Sequence, residues 1–173
     1  MTTLVNRARE FALAAHGDQK YGSYPYEVHL DAVAELARPY GEQAEMIAYL
    51  HDVVEDTEVD VGTIAESFGE FIAECVAILT DAPGSDRKER KQKTYARMAG
   101  VSGDLELALV VKAADRVANM RACVADGRSS LLAVYKGEHV TFRAAAFRQN
   151  LCGDLWFEMD QISQDWDTGD RAP

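Results

Sequence analysis

Four ionisable side chains crowd one short stretch, Leu50-His51-Asp52-Val53-Val54-Glu55-Asp56-Thr57. Side chains three or four apart on a helix share a face, so a helix running through this stretch sets His51 above Glu55 and Asp52 above Asp56. His51 and Asp52 are adjacent, splay by about 100° and can grip one ion from two sides. The residues before them, Met46-Ile47-Ala48-Tyr49-Leu50, are apolar on several faces. Burying ionisable groups at the end of such a helix is costly unless a cation offsets their charge. The plainer alternative is a solvated acidic helix end with a satisfied histidine, but acid at a helix C-terminus opposes the macrodipole.

Asp115 is a second anomaly. It ends the apolar run Leu107-Ala108-Leu109-Val110-Val111-Lys112-Ala113-Ala114, with Asn119 one turn later. A buried Asp must be paired, hydrogen-bonded or coordinated. A salt bridge to Lys112, Arg116 or Arg121 suffices for Asp115 taken alone; beside a cation site, coordination is the better expectation. His29, at the start of a helix after Pro25-Tyr26, is a third candidate. Two imidazoles and two carboxylates suit Mn²⁺, Fe²⁺ or Zn²⁺ better than Ca²⁺. An ion with open coordination positions lowers the pKa of bound water and so prepares a nucleophile.

These residues need helices to hold them. Long segments of helical period predict an all-α bundle without strand alternation or internal repeat. Helices are expected over 3–15, 26–38, 42–53, from an Asp60 N-cap over 61–69, over 71–80, over 86–98, from Asp104 to about 124, and from 131 to about 162. Gly17 to Pro25 reads as a loop, and the tail 167–173 as frayed. Trp156, Phe157, Met159 and Trp166 either close the core or cover a subunit interface, so an oligomer stays open. His16 reads as structural, hydrogen-bonded to the loop; His139 is assigned no role; the cysteines read as small core residues.

Composition narrows the function classes. Eighteen Lys and Arg against twenty-nine Asp and Glu leave a net charge of −11, which disfavours DNA or RNA and anionic membranes as partners. Cys75, Cys123 and Cys152 are odd in number and widely spaced, so neither a disulfide framework nor a thiolate zinc site is indicated. With no signal-peptide pattern and no run of about 20 apolar residues, a cytoplasmic globular domain spanning 1–173 is expected.

His29, then His51-Asp52-x-x-Glu55-Asp56-Thr57, then about sixty residues later Lys112-x-x-Asp115-Arg116-x-x-Asn119-Met120-Arg121, resembles the HD-domain metal-dependent phosphohydrolases. More narrowly, the pattern is similar to the hydrolase domain of RelA/SpoT enzymes and the stand-alone small alarmone hydrolases, across roughly residues 8–125. The resemblance implies a single-domain HD helical bundle and one Mn²⁺ held by His29, His51, Asp52 and Asp115. It implies that Glu55 and Asp56 orient or deprotonate the attacking water and that Asn119 contacts the nucleotide ribose. The implied reaction removes pyrophosphate from the 3′ position of ppGpp or pppGpp.

The loop Lys20-Tyr21-Gly22-Ser23-Tyr24-Pro25-Tyr26-Glu27-Val28-His29-Leu30 departs from the family's Arg-Lys-x-Gly-x-Pro-Tyr-Ile-x-His-Pro. It reads one residue shorter, lacks the Arg that stacks on guanine, and has Leu30 after the histidine. Lys20 or Tyr21 is the candidate to stack on a base instead. The run Arg87-Lys88-Glu89-Arg90-Lys91-Gln92-Lys93 matches a basic run of the family, and Arg90 and Lys91 are candidates for phosphate contact. Two rivals remain: hydrolysis of another nucleotide, and a sensor that binds nucleotide without turnover.

Overall fold

The computed structural model describes residues 3–168, with side chains to residue 164. Helix α1 (Leu4–His16) opens under a Thr3 cap whose hydroxyl accepts the Asn6 N–H at 3.2 Å. Two minimal strands follow, β1 (Lys20–Tyr21) and β2 (Tyr24–Pro25), paired antiparallel with Lys20 opposite Pro25 and Tyr21 opposite Tyr24. The loop expected over 17–25 is therefore a short hairpin; its turn is made possible by Gly22 at φ 61°. Helices α2 (Glu27–Ala37), α3 (Glu42–Leu50) and α4 (Val53–Asp56) come next, with a 3₁₀ turn at Arg38–Tyr40.

The uninterrupted helix expected over 42–53 is corrected by a break. Helix α3 ends at Leu50 and α4 restarts at Val53, with Asp52 at φ −102°, ψ −5°. The cause lies in a side chain. The His51 Nδ1–H donates to the Ala48 carbonyl at 2.6 Å, an acceptor that a continuing helix reserves for the Asp52 N–H.

Asp60 caps α5 (Val61–Phe68), accepting the Thr63 N–H at 2.8 Å, and α6 (Glu70–Leu79) packs beside it. Asp86 caps α7 (Arg87–Ala99) by accepting the Glu89 N–H at 2.8 Å, while the Glu89 carboxylate accepts the Ser85 N–H at 2.8 Å. A 3₁₀ turn at Gly103–Leu105 leads into α8 (Glu106–Ala125). The continuous pattern expected from 131 to 162 divides into α9 (Ser129–Ala146) and α10 (Gly153–Thr168). Left-handed Asn150 (φ 66°) and Cys152 (φ 44°) turn the chain between them.

Helix α8 is the axis of the bundle and packs against α2, α3, α6, α9 and α10. Its residues 108–118 are buried without interruption. Small side chains at Ala108, Ala113, Ala114 and Ala118 let neighbours approach on several sides, and Leu109, Val111 and Val117 fill the space between. Trp156 and Met159 of α10 are buried and close the core, whereas Phe157 points to solvent at 67% exposure. The Trp166 side chain and the tail from residue 169 lie outside the described residues. Among the described residues no helix is long and apolar enough to cross a membrane.

Candidate metal centre

Three helices bring four donors to one point. His29 comes from the first turn of α2, His51 and Asp52 from the break after α3, and Asp115 from the middle of α8. The His29 and His51 Nε2 atoms are 3.3 Å apart. Asp52 Oδ2 lies 3.0 Å from His51 Nε2 and 3.6 Å from His29 Nε2. Asp115 Oδ1 lies 3.4 and 3.7 Å from the same two nitrogens. Donors held about 2.1 Å from a common centre sit about 3.0–3.4 Å apart when neighbouring and about 4.2 Å when opposite, a range that covers the five separations of 3.0–3.7 Å found here. His29, His51 and Asp52 form a compact ligand cluster in their own right, and Asp115 reaches it through Oδ1 beside the two imidazoles.

The chemistry of the donors fits as well. With its Nδ1–H committed to Ala48, His51 presents a lone pair at Nε2. Asp115 has its outer oxygen held by Lys112 Nζ at 3.2 Å, and its inner oxygen accepts from Asn119 Nδ2 at 2.5 Å. Asp52 Oδ2 accepts the Tyr26 hydroxyl at 2.5 Å. Both imidazoles are almost completely buried, at 3% and 1% exposure.

The countercharges inside the nest favour protonated imidazoles beside ionised carboxylates. Burial acts to lower both histidine pKa values, yet bonds to Asp115 and Asp52 outweigh it: His29 is raised, and His51 is raised to about 10. Burial pushes Asp52 and Asp115 up, and the countercharges, His51 for Asp52 and Lys112 for Asp115, more than reverse it, so both carboxyls lie well below the usual range. A divalent cation can replace those protons because it carries the same charge to the same place.

The two remaining carboxylates differ. Glu55 lines the cleft beside the nest and accepts the Asp81 N–H at 2.9 Å. Burial, with Asp81 and Asp52 nearby, raises its pKa despite that bond. Asp56 is held elsewhere. Its Oδ2 accepts from Gln19 Nε2 at 2.8 Å and from the Tyr26 hydroxyl at 3.1 Å. Gln19 is in turn fixed by His16 Nδ1 at 2.9 Å, and the His16 ring stacks on Tyr26 at 4.4 Å.

The cleft holds about 130 Å³ and is also lined by Tyr21, Lys91, Lys112, Arg116, Asn119 and Tyr135. Lys91 lies 2.9 Å from buried Asp81. Arg90 and Lys20 are not among the cleft's lining residues, and Lys20 is exposed. Tyr21 stacks on His29 at 4.6 Å with ring planes 17° apart, carries the Arg128 guanidinium 5.2 Å from its centroid, and donates its hydroxyl to Asn119 Oδ1 at 2.8 Å. Both ends of the Asn119 amide are thus committed within the protein.

Sequence reasoning missed Tyr26 and Gln19, and it weighed Lys112 only as one of three salt-bridge partners for Asp115. Two signals were available: Tyr26 stands three residues before His29, and Lys112 three before Asp115. Gln19 carries no local signal. Of the partners weighed for Asp115, Lys112 takes it; Arg116 goes to Glu138 and Tyr95, and Arg121 to Glu158. His16 bonds to loop residue Gln19, as expected, while His139 binds Asp160 and ties α9 to α10.

The family model described as "HD domain" matches residues 8–137. A Synechocystis protein named "Probable guanosine-3′,5′-bis(diphosphate) 3′-pyrophosphohydrolase" is 40% identical over 125 residues, covering 68% of this chain and 16% of the relative. The "Guanosine-3′,5′-bis(diphosphate) 3′-pyrophosphohydrolase" of Aquifex aeolicus is 32% identical over 120 residues, covering 68% of this chain and 17% of that protein. The chain therefore spans about one-sixth of the length of these curated relatives. Among solved structures, the one reported as "A metazoan ortholog of SpoT hydrolyzes ppGpp and plays a role in starvation responses" superposes with TM-score 0.75 at 22% identity, covering 94% of each chain. That likeness is one of fold. With the family model extending over most of its length and the His-Asp nest on its helices, the chain belongs to the HD-domain family.

Proposed function

We propose that the chain is a metal-dependent phosphohydrolase that removes the 3′-linked pyrophosphate from guanosine 3′,5′-bis(diphosphate) and its close analogues, with Mn²⁺ as its ion. The observation that carries this reading is the convergence of His29, His51, Asp52 and Asp115 beside the Glu55 carboxylate. Relatives at 40% and 32% identity bear the name of this activity, which supports the substrate class. The whole described chain serves as one unit, with α9 and α10 completing the bundle around α8.

His29, His51, Asp52 and Asp115 hold the ion. When bound, it supplies positive charge against the negative charge that develops on the phosphoryl oxygens. Glu55 takes the proton of the attacking water, and its raised pKa makes it a stronger base than an ordinary surface glutamate. The water oxygen bonds to the phosphorus on O3′, the bond from that phosphorus to O3′ breaks, and O3′ recovers a proton as pyrophosphate departs. Asp56 positions rather than transfers: its bonds to Tyr26 and Gln19 brace the Asp52 side of the nest. Lys91, Lys112 and Arg116 line the cleft and attract the phosphate oxygens.

One observation favours a different nucleotide: Tyr21 and Asn119 are engaged within the protein, so neither leaves a free edge for a guanosine. Incubating the Mn²⁺-loaded protein with guanosine 3′,5′-bis(diphosphate) and measuring pyrophosphate decides between the two. Release of pyrophosphate with guanosine 5′-diphosphate supports the proposal. An intact substrate beside cleavage of another nucleotide overturns it in favour of the second reading.

A further inference from the structure

We propose that the outward face of α9, with α7 and α10 beside it, binds a second copy of this chain about a two-fold axis running along α9. The association is separate from the proposed reaction. A surface helix normally turns its charged residues to water and its apolar stripe to the core. Helix α9 does not. Its exposed positions are Ser, Ala, Val, Gly or Thr, without a single charge. Ala133, Val134, Gly137, Val140 and Ala144 share one side by helical spacing, and Val134 and Val140 are 40% and 78% exposed. The ionisable residues Lys136, Glu138, His139 and Arg143 are half-buried instead. Glu138 is held by Arg87 of α7 at 2.7 Å, and His139 and Arg143 are held by Asp160 of α10 at 2.8 and 3.2 Å.

Those contacts set the two neighbours on opposite sides of the apolar stripe. Helix α7 runs the same way as α9, with Arg87 at Glu138 and the Tyr95 ring 5.7 Å from Phe142. Helix α10 runs against it, with Asp160 at His139 and the Trp156 ring 5.6 Å from Phe147. Phe157, the residue after buried Trp156, is exposed on α10 and adds to the apolar surface.

Charge identifies the partner. Helix α7 has six basic residues and one acid, whereas α10 has five acids and no Lys or Arg. The two helices are separated by α9, about 18 Å apart at ordinary helix spacing. Exposed charges act over roughly 8 Å at physiological salt, so neither helix offsets the other within one chain. A two-fold axis along α9 keeps the helix direction and exchanges the flanks. It therefore brings the basic α7 of each copy against the acidic α10 of the other, twice. The levels agree as well: the start of α7 and the second half of α10 both lie beside Glu138 and His139. Lys88, at that start, is exposed and makes no ion pair among the described residues. Two chains of net charge −11 repel in other orientations; this one pairs opposite signs.

The area is sufficient. Eighteen residues make α9 about 27 Å long, and three helices side by side are about 28 Å wide. The face thus offers about 750 Å² on each copy, against the roughly 800 Å² per partner of a standard stable interface.

Sedimentation velocity of the full chain from about 1 to 200 μM reads the association. Twice the 19.1 kDa chain mass is expected at the upper end, with a dissociation constant of about 10 μM. Val140→Glu sets like charges face to face at the axis and is expected to raise that constant at least about tenfold. Lys88→Glu is expected to raise it about tenfold, and Gln164→Lys added to the same chain to restore it, because the axis makes the new pair twice. Leu4→Glu, at an exposed apolar residue of α1, is expected to leave it unchanged. Val140, Lys88 and Gln164 are exposed, and circular dichroism confirms folding of each variant. A monomer at every concentration overturns the proposal and leaves the face to a different protein. A dimer that neither Val140→Glu nor Lys88→Glu weakens also overturns it. So does tightening by Lys88→Glu, which marks α7 against α7 in an antiparallel pair.

Discussion

The candidate metal nest and the rim of its cleft are built by opposite means. In the nest, His29, His51, Asp52 and Asp115 are nearly buried, and three of them have a named partner: Ala48 and Lys112 fix the atoms of His51 and Asp115 turned away from the centre, and Tyr26 holds the inward oxygen of Asp52. At the rim, Lys20 is exposed, Arg87 is paired across helices with Glu138, and Tyr21 is packed against protein on both faces. Burial makes misplacement costly, because an unpaired charge in the interior is worth several kcal/mol. Exposure makes it cheap, because surface ion pairs contribute only about 0–1 kcal/mol and can exchange. The nest is therefore fixed before a ligand arrives, whereas rim cations can change partners when an anion binds.

That contrast orders the expected effects of substitution. Asp115→Ala should abolish metal binding and lower turnover by more than about 10³-fold. It should also destabilise the metal-free fold by roughly 3 kcal/mol, because Lys112 is left buried without its carboxylate; metal analysis and denaturant unfolding read the two effects. Glu55→Gln should keep the metal and cut kcat by about 10²–10⁴-fold. A retained kcat in that variant removes Glu55 from its role as base.

The same residue governs the pH profile. Because Glu55 has a raised pKa, its protonated, inactive form persists to higher pH than for an ordinary glutamate. Activity should then fall as pH drops through a value above the usual carboxylate range, and this acid limb should be absent from the residual rate of Glu55→Gln. Tyr26→Phe preserves the ring stacked on His16 but removes the hydroxyl shared by Asp52 and Asp56. It should weaken metal affinity or turnover by about 10–100-fold. Lys20→Ala, at the exposed end of the hairpin, should change KM by less than about twofold; a larger effect would show that the rim is as fixed as the nest.

The same division explains what was legible before the fold was known. Helical period exposed the bundle, and the Asp60 cap with the long apolar run ending in Asp115 located α5 and α8 closely. His51, Asp52 and Asp115 stood out as candidates because they are ionisable groups that follow apolar runs, an expensive arrangement that demands a cause, whereas His29, flanked by Glu27 and Asp31, stood out only by its place at the start of a helix. The break after Leu50 was hidden: it arises from the His51 side chain taking the Ala48 carbonyl, and a 3.6-residue repeat does not register such competition. The hairpin at Lys20–Pro25 is too short to show alternation. Tyr21 and Asn119 were expected to face a nucleotide but meet each other at 2.8 Å, a contact across 98 positions that no local pattern encodes. The division of the last helical stretch at 147–152 rests on left-handed Asn150 and Cys152, which carry no glycine or proline to announce a turn.

The central claim, one divalent ion held by donors from three helices, is tested most directly by titrating Mn²⁺ into metal-free protein and following free Mn²⁺ by electron paramagnetic resonance. One tightly bound ion per chain, lost when His29 and Asp115 are both replaced by alanine in a still-folded protein, is the predicted result. Full retention of the ion in that double variant, or no binding by the unmodified chain, would contradict the account.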